Sequence, residues 1–565
     1  MTDTAISAGA ALLARLKTVG VDVIFANSGT DFPPIIEGLS EATAKDIPLP
    51  RTLTIPHEHA AMGMAHGYYL ATGRAQAVIA HTDVGLANCA IGALNAHVEH
   101  VPILLFSGRT PTLEKGRFGA RTVPIGWGQE MRDQSALVRE ASKWDYELRF
   151  PEQVPDLVDR AHAIASSSPR GPVYVSLPRE VLCAPCPIDL LQTAPRMRGH
   201  GLHAAPDDFA DLAARIARAR APVIFAQHGA GSAEGFAALA RISARWAIPV
   251  CQYWAGQLAL ATDHPMCTSW DPAPLLAEAD LVICLDVLAP WMPEIHAPRR
   301  DACVVQLGPN PLSIRTPIRN FRADLTLAAD TAPALIALEQ ALNAHQPDAD
   351  VSARFERVAA RNQQARADAI AAAAPDDAPG MTKAQIARAL SDALEGESAT
   401  ILSELGCPMP PMRLTHHQAW YQEPHAGGLG WSLPAAMGMQ LADPDRLVIA
   451  TMGDGSYMFA NPVACHQIAE ALSLPVLIIV MNNAEWGAVR QSVLGLYPDG
   501  HAARANQMPL TGLQPSPDFA LVARASHALG LRAQSHGEFV QMLDQALAHV
   551  RARKGAALID VRTRP

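Results

Sequence analysis

The chain has 565 residues and a mass of 60.2 kDa, a length that at roughly 150 residues per domain requires three or four cores rather than one. It carries 45 Lys and Arg against 55 Asp and Glu, formally −10, with 49% hydrophobic residues and a mean hydropathy of +0.06. The acidic balance argues against a nucleic-acid partner, and the longest apolar runs, such as Leu474–Met481, fall far short of the ~20 residues a membrane span requires.

The amino end, Met1–Lys17, has no basic stretch before its apolar residues and places Asp3 where a signal peptide carries Lys or Arg, so no targeting segment is expected. Nine scattered cysteines fit reduced thiols in a cytoplasmic, soluble protein. The one CxxC, Cys183 and Cys186, lacks a second pair at zinc spacing and reads as incidental. Two composition changes, one after Leu182 and one over residues 344–380, read as linkers. They leave segments 1–185, 200–345 and 378–565. In the first, Val23–Phe25, Ala77–Ala80, Pro102–Phe106 and Val173–Leu177 read as buried strands. In the second, Pro222–Ala226, Leu281–Leu285 and Cys303–Leu307 do so, and in the third, Leu447–Met452, Val476–Met481 and Ala557–Val561. Apolar runs without alternation, separated by Ala-rich helical stretches, predict three α/β domains with doubly wound parallel sheets. The first and third segments can be distant duplicates, which the sequence does not decide.

The most informative stretch starts at Leu447. A strand to Met452 is followed by a tight turn, Gly453-Asp454-Gly455-Ser456, a helix Pro462–Leu472 and a second strand ending at Asn482-Asn483. Such a right-handed βαβ unit brings Asp454 and the Asn pair to the carboxyl edge of one sheet. Carboxylate and amide oxygens suit a hard cation such as Mg²⁺, which completes its shell with phosphate oxygens and water. Gly453 and Gly455 permit close approach of a diphosphate, and the helix start offers N–H groups to it. A plain glycine turn followed by an unrelated Asn-Asn turn is the competing reading.

This GDGS–helix–strand–NN pattern resembles the thiamine diphosphate motif of the family that includes pyruvate decarboxylase, acetolactate synthase, benzoylformate decarboxylase and 2-hydroxyacyl-CoA lyase. The resemblance implies that Asp454, Asn483 and the main-chain oxygen of Glu485 hold Mg²⁺, with Gly453, Gly455 and Ser456 around the cofactor diphosphate. Asn483 follows Asp454 by 29 positions, a little longer than in commoner members, and the extra residues are placed near Ala460–Pro462. His425–Arg446 resembles the segment that supports the cofactor rings, with Leu429 beneath them and Gly427 offering a carbonyl. Pro56–Gly73 resembles the segment that carries the activating glutamate, here Glu58. That glutamate holds N1′ of the aminopyrimidine so that the imino tautomer removes the C2 proton, and the thiazolium then accepts the electron pair released from substrate.

For substrate, the stretch IFANSGTDFPPII is similar to the first active-site loop of benzoylformate decarboxylase, with Thr30 at its serine position and Asn27, Ser28, Asp31 and Phe32 beside it. His81, placed beside Asp83, stands at that enzyme's histidine position, and its second histidine falls near Trp291, with His296 a few residues on. Ile125–Gln134 resembles an acetolactate synthase segment and offers Gln129. Trp486–Ser492 follows that enzyme's pattern only in part, with Trp486 and Arg490 as candidate pocket residues and Ser492 in place of its tryptophan. In the middle segment, His228–Gly235 is a glycine loop that can approach a dinucleotide phosphate, but FAD or an adenine nucleotide is disfavoured.

The expected activity is cleavage or formation of a carbon–carbon bond next to a carbonyl, by a non-oxidative 2-oxo acid decarboxylase or aldehyde lyase with carboligase activity. Its small-molecule partner is a 2-oxo acid, aldehyde or 2-hydroxy ketone. The alternatives are an acetolactate synthase-like carboligase and a catalytically silent cofactor-binding subunit. The resemblance also implies a homodimer or homotetramer with sites at the subunit interface, and neither nucleic acid nor membrane as partner.

Overall fold

The computed structural model describes residues 5–268, 270–376 and 378–564; Asp3 lies outside them. All ten strands read from the apolar runs are present, and they build three parallel sheets. The first runs, across the sheet, Arg51–Thr54, Val23–Ala26, Gln76–Ala80, Ile103–Arg109, Val173–Pro178 and Asp145–Glu147. The third runs Trp420–Gln422, Ala399–Glu404, Leu447–Gly453, Leu477–Asn482, Ala557–Arg562 and Leu529–Ala533. Numbered by sequence within each sheet, both have the order 2-1-3-4-6-5, and the five-stranded middle sheet has 2-1-3-4-5. The shared order is what duplication of the first and third segments requires.

The order reverses in each sheet between its first and third strands, and at such a point the connections leave opposite faces and open a crevice at the carboxyl ends. The residues that follow those strands are therefore placed to act: Asn27 and His81 in the first sheet, Gln227 and Asp286 in the middle sheet. In the third, Glu404 ends one strand and Asp454 follows the other.

The first and third sheets share one core. Helix Glu58–Thr72 lies against helix Ser432–Ala442, and Met62, Met64, Ala435 and Met437 all belong to the buried core that the two helices share. The approach is close enough to require glycine: a Cβ on Gly67 would fall 1.8 Å from the Ala435 carbonyl oxygen, and one on Gly438 2.0 Å from that of Met64. The middle sheet has its own cores, one of them centred on Trp246, Ile283 and Leu335.

Three expectations need correction. The stretch read as a linker over residues 344–380 contains a 24-residue helix, Ala349–Ala372, whose Arg354 donates to the carbonyls of Trp246 and Ala247. Its few bulky residues, Val351 and Val358, are enough to seat one face on the middle core. The segment after Leu182 forms the strand Pro185–Pro187, paired antiparallel with Ala5–Ser7. Burial pushes the Cys186 thiol up to about 11 and raises that of Cys183, which is contrary to a reactive thiolate. Finally, the tight turn at Gly453 is the start of a short helix, Asp454–Phe459, which breaks at Asn461 (φ 54°) before the helix Pro462–Ala471. The break falls where the extra residues were placed. Among the described residues no helix is long and apolar enough to cross a membrane.

Candidate active site

Glu58 opens its helix and is buried, 6% exposed. Two amides hold its carboxyl: Asn27 Nδ2 donates to Oε1 at 3.0 Å, and Asn88 Nδ2 to Oε2 at 3.0 Å. Asn27 thus faces Glu58. Asn88, from the next helix Thr82–Val98, had no local signal in the sequence.

His81 follows the strand Gln76–Ala80 and is held at both ring nitrogens. Nδ1 bonds Asp31 Oδ1, and Nε2 lies 3.0 Å from Gln129 Nε2. The partner is Asp31 and not Asp83. Asp31 is buried and also accepts from the Thr82 amide at 3.3 Å. The hydrogen bond to Asp31 raises the His81 pKa above its ordinary value, against the opposing effect of burial, and the Glu58 carboxyl adds to the rise. An aspartate on Nδ1 fixes the tautomer and stabilises the imidazolium, so Nε2 is the atom that can take or give a proton. The exposed Thr30 borders the same cleft as Asp31 and Gln129; Ser28 is exposed beside it.

In the third sheet Asp454 is 2% exposed and its Oδ2 is buried without a hydrogen-bond partner. Burial pushes its carboxyl up to about 6. An orphaned carboxylate oxygen is what a bound cation would satisfy. Of the two asparagines, Asn482 is spent on structure, donating at 3.0 Å to both Asp560 Oδ1 and Ser516 Oγ. Among the described residues Asn483 Oδ1 accepts only the Glu485 amide, at 3.2 Å, and keeps acceptor capacity. These donors fit a Mg²⁺ site.

The loop that carries Gly427 and Leu429 is anchored from three directions. Asn95 Nδ2 donates to the Gly428 carbonyl at 2.9 Å, His59 Nε2 donates to that of Gly430 at 3.1 Å, and Glu404 accepts the amides of Gly430, Trp431 and Ser432 at 2.6, 2.8 and 2.8 Å. Glu404 is fully buried and burial raises its pKa. It caps the helix Ser432–Ala442. Because His59 adjoins Glu58, the helix bearing the candidate activating acid touches the loop bearing Leu429 within one chain.

The two glycines of the GDGS segment differ. A Cβ on Gly453 would meet nothing within 4 Å, so that position opens onto free space, as does Gly427. A Cβ on Gly455 would lie 2.2 Å from the Trp486 ring. The role of Gly455 is therefore to admit Trp486, which also packs edge-on against Phe459. Trp486 covers the turn rather than standing free in a pocket. Ser456 is buried, and its hydroxyl works against the burial that raises the Glu404 pKa. Arg490 is engaged by Glu485 at 3.5 Å and by Asn506. Trp291 is buried between Phe225 and Phe321.

Residues 6–137, 209–338 and 406–561 match, in turn, the N-terminal TPP binding domain, the central domain and the C-terminal TPP binding domain of thiamine pyrophosphate enzymes. The chain is 28% identical to a probable 2-ketoarginine decarboxylase of Pseudomonas aeruginosa, over 99% of this chain and 94% of that protein. It is 28% identical to the benzoylformate decarboxylase of the same organism, over 97% of each. It is 25% identical to an acetolactate synthase of Mycobacterium bovis, over 95% of this chain and 85% of that protein. Its fold matches that of a thiamine diphosphate-dependent 4-hydroxybenzoylformate decarboxylase from Rhodococcus jostii RHA1, with a TM-score of 0.78 over 99% of each chain at 23% identity. Three sheets in this order, an orphaned aspartate at the switch point of the third and a buried glutamate beside that of the first belong together: the chain is a member of the thiamine pyrophosphate enzyme family.

Proposed function

We propose that this enzyme is a Mg²⁺-dependent, non-oxidative decarboxylase of a 2-oxo acid, acting in the cytoplasm. The observation that carries the reading is the Asp31–His81–Gln129 chain, which supplies a proton-handling group whose Nε2 meets Gln129, a residue that lines the cleft. The decarboxylases among its relatives support the same class.

Asp454, Asn483 and the Glu485 carbonyl would hold Mg²⁺, and Gly427, Leu429 and Gly453 would border the cofactor. When bound, thiamine diphosphate supplies a carbon nucleophile that adds to the substrate carbonyl and accepts the electron pair left when CO₂ departs. Glu58 holds or releases a proton at its carboxyl, oriented by Asn27 and Asn88. His81 takes or gives a proton at Nε2, while Asp31 balances its charge. Gln129, already on Nε2, orients the entering substrate beside Thr30 and Ser28.

The active unit is a homodimer or a pair of such dimers. Helix Thr82–Val98, which supplies Asn88, leaves Val84, Ile91 and Leu94 exposed along one face at helical spacing. An apolar stripe so close to the site supports an isologous contact there.

The test is CO₂ release from a panel of aliphatic, aromatic and cationic 2-oxo acids, with acetolactate formation from pyruvate measured in parallel. CO₂ with an aldehyde product supports the proposal. Acetolactate as the main product, or cleavage of a 2-hydroxy ketone without CO₂, replaces it with the carboligase or the lyase.

A further inference from the structure

Three side chains that the proposed reaction does not use meet where the three sheets adjoin. Glu99 follows the helix Thr82–Val98 of the first, His228 lies two residues past the strand Pro222–Ala226 of the middle, and His425 precedes Gly427 in the third. Their side chains are 12%, 12% and 15% exposed.

At each histidine one ring nitrogen is fixed by a backbone carbonyl. His228 Nδ1 lies 2.9 Å from the Asp286 carbonyl oxygen, and His425 Nε2 lies 2.8 Å from that of Trp254. A carbonyl only accepts, so each of these nitrogens carries a hydrogen, and in a neutral imidazole the other nitrogen is a lone pair. Both lone pairs face the same carboxylate: His425 Nδ1 is 3.0 Å from Glu99 Oε1, and His228 Nε2 is 3.3 Å from Oε2. His228 Nε2 is buried and makes no hydrogen bond. Two ring nitrogens against a buried carboxylate require positive charge between them, either a proton on each ring or one shared cation.

A tetrahedral centre with bonds of about 2.0–2.2 Å separates its ligand atoms by roughly 3.3–3.6 Å, and one donor atom from each of the three residues falls within 4.8 Å of the others. A ring N–H donated to a backbone carbonyl is the support that orients metal-bound histidines. We propose that Glu99, His228 and His425 bind one divalent transition-metal ion of the zinc class, which ties the three sheet units together at the loop leading into Gly427–Gly430. Two imidazoles select against Mg²⁺, which prefers oxygen donors, so this site is separate from the one at Asp454 and does not depend on it.

The test is titration of chelator-stripped full-length protein with Co²⁺, without thiamine diphosphate. The expected result is one equivalent per chain with the intense visible absorption of four- or five-coordinate cobalt, displaced by Zn²⁺, and a rise in melting temperature with either ion. Glu99→Gln and His228→Gln should weaken binding by roughly tenfold or more, whereas Asp454→Ala should leave the spectrum unchanged. Wild-type protein that gives no such absorption and no thermal shift with Zn²⁺ overturns the proposal, whether or not the variants fold; the cluster is then a carboxylate between two protonated imidazoles. An absorption that survives His228→Gln but is lost in Asp454→Ala overturns it equally.

Discussion

Replacing Glu404 by Gln removes one carboxylate oxygen from a cap that serves three buried amides. Oε1 accepts from Gly430, and Oε2 from Trp431 and Ser432. Whichever way the new amide turns, an NH₂ group faces at least one N–H. A hydrogen bond to a charged group is worth about 1.5–3 kcal/mol, and the lost anion at a helix start adds some tenths of a kcal/mol or more. The net loss is about 2–3 kcal/mol, concentrated on residues 430–432. In a chain with three cores a global denaturation midpoint would blur this loss, because unfolding need not be two-state. Amide hydrogen exchange read by mass spectrometry is local, and at 1.4 kcal/mol per factor of ten the peptide carrying those amides should exchange roughly 30- to 150-fold faster. Peptides of the middle sheet should not change. Exchange at 430–432 equal to wild type would refute the cap and with it the account of how the Leu429 loop is held.

Glu58→Gln should lower turnover by about 10²- to 10⁴-fold, the usual worth of a positioned acid or base, while cofactor content measured after gel filtration stays near that of wild type. Asp31→Asn removes the main cause of the raised His81 pKa, so the limb of the pH–rate profile due to His81 should move to lower pH; an unmoved limb would separate the two residues. The sign for stability follows: the His81–Asp31 pair contributes fully below the ordinary value of 6.5, and its contribution is lost as pH rises through the elevated pKa. Gly455→Ala, which drives a Cβ into Trp486, should lower the melting temperature, overpacking of this kind costing about 1–3 kcal/mol. Gly453→Ala, which meets only open space, should leave the melting temperature alone and weaken thiamine diphosphate binding, as calorimetric titration would show.

What could be read from the sequence, and what could not, divides along physical lines. The buried strands announced themselves because parallel strands covered on both faces are apolar throughout, as in Leu477–Asn482. The edge strands did not: Arg51–Thr54 is largely exposed and Asp145–Glu147 half-exposed, so neither forms an apolar run. Asp454 and Asn483 were legible because one βαβ unit brings them together. Asn88, His59 and Asn95 act across the packing of different elements, and nothing local marks them. Glu404, which also acts across elements, did leave a trace, as the carboxylate ending the buried strand Ala399–Glu404. A charge in that position must be buried, and a buried charge needs donors. Trp486 and Arg490 were read as pocket residues from a partial resemblance to the acetolactate synthase pattern, whereas Gly455 and Glu485 give them intramolecular partners that such a resemblance does not reveal.

The most direct test of the whole account is titration of cofactor-stripped protein with thiamine diphosphate, with and without Mg²⁺, followed by tryptophan fluorescence and by CO₂ release from the best 2-oxo acid. Trp486 lies over the turn that opens at Gly453. One cofactor per chain should therefore change the emission saturably, only when Mg²⁺ is present, and CO₂ release should rise along the same curve. CO₂ release that does not depend on the cofactor, or binding that is indifferent to Mg²⁺ and unaffected by Asp454→Ala, would contradict it.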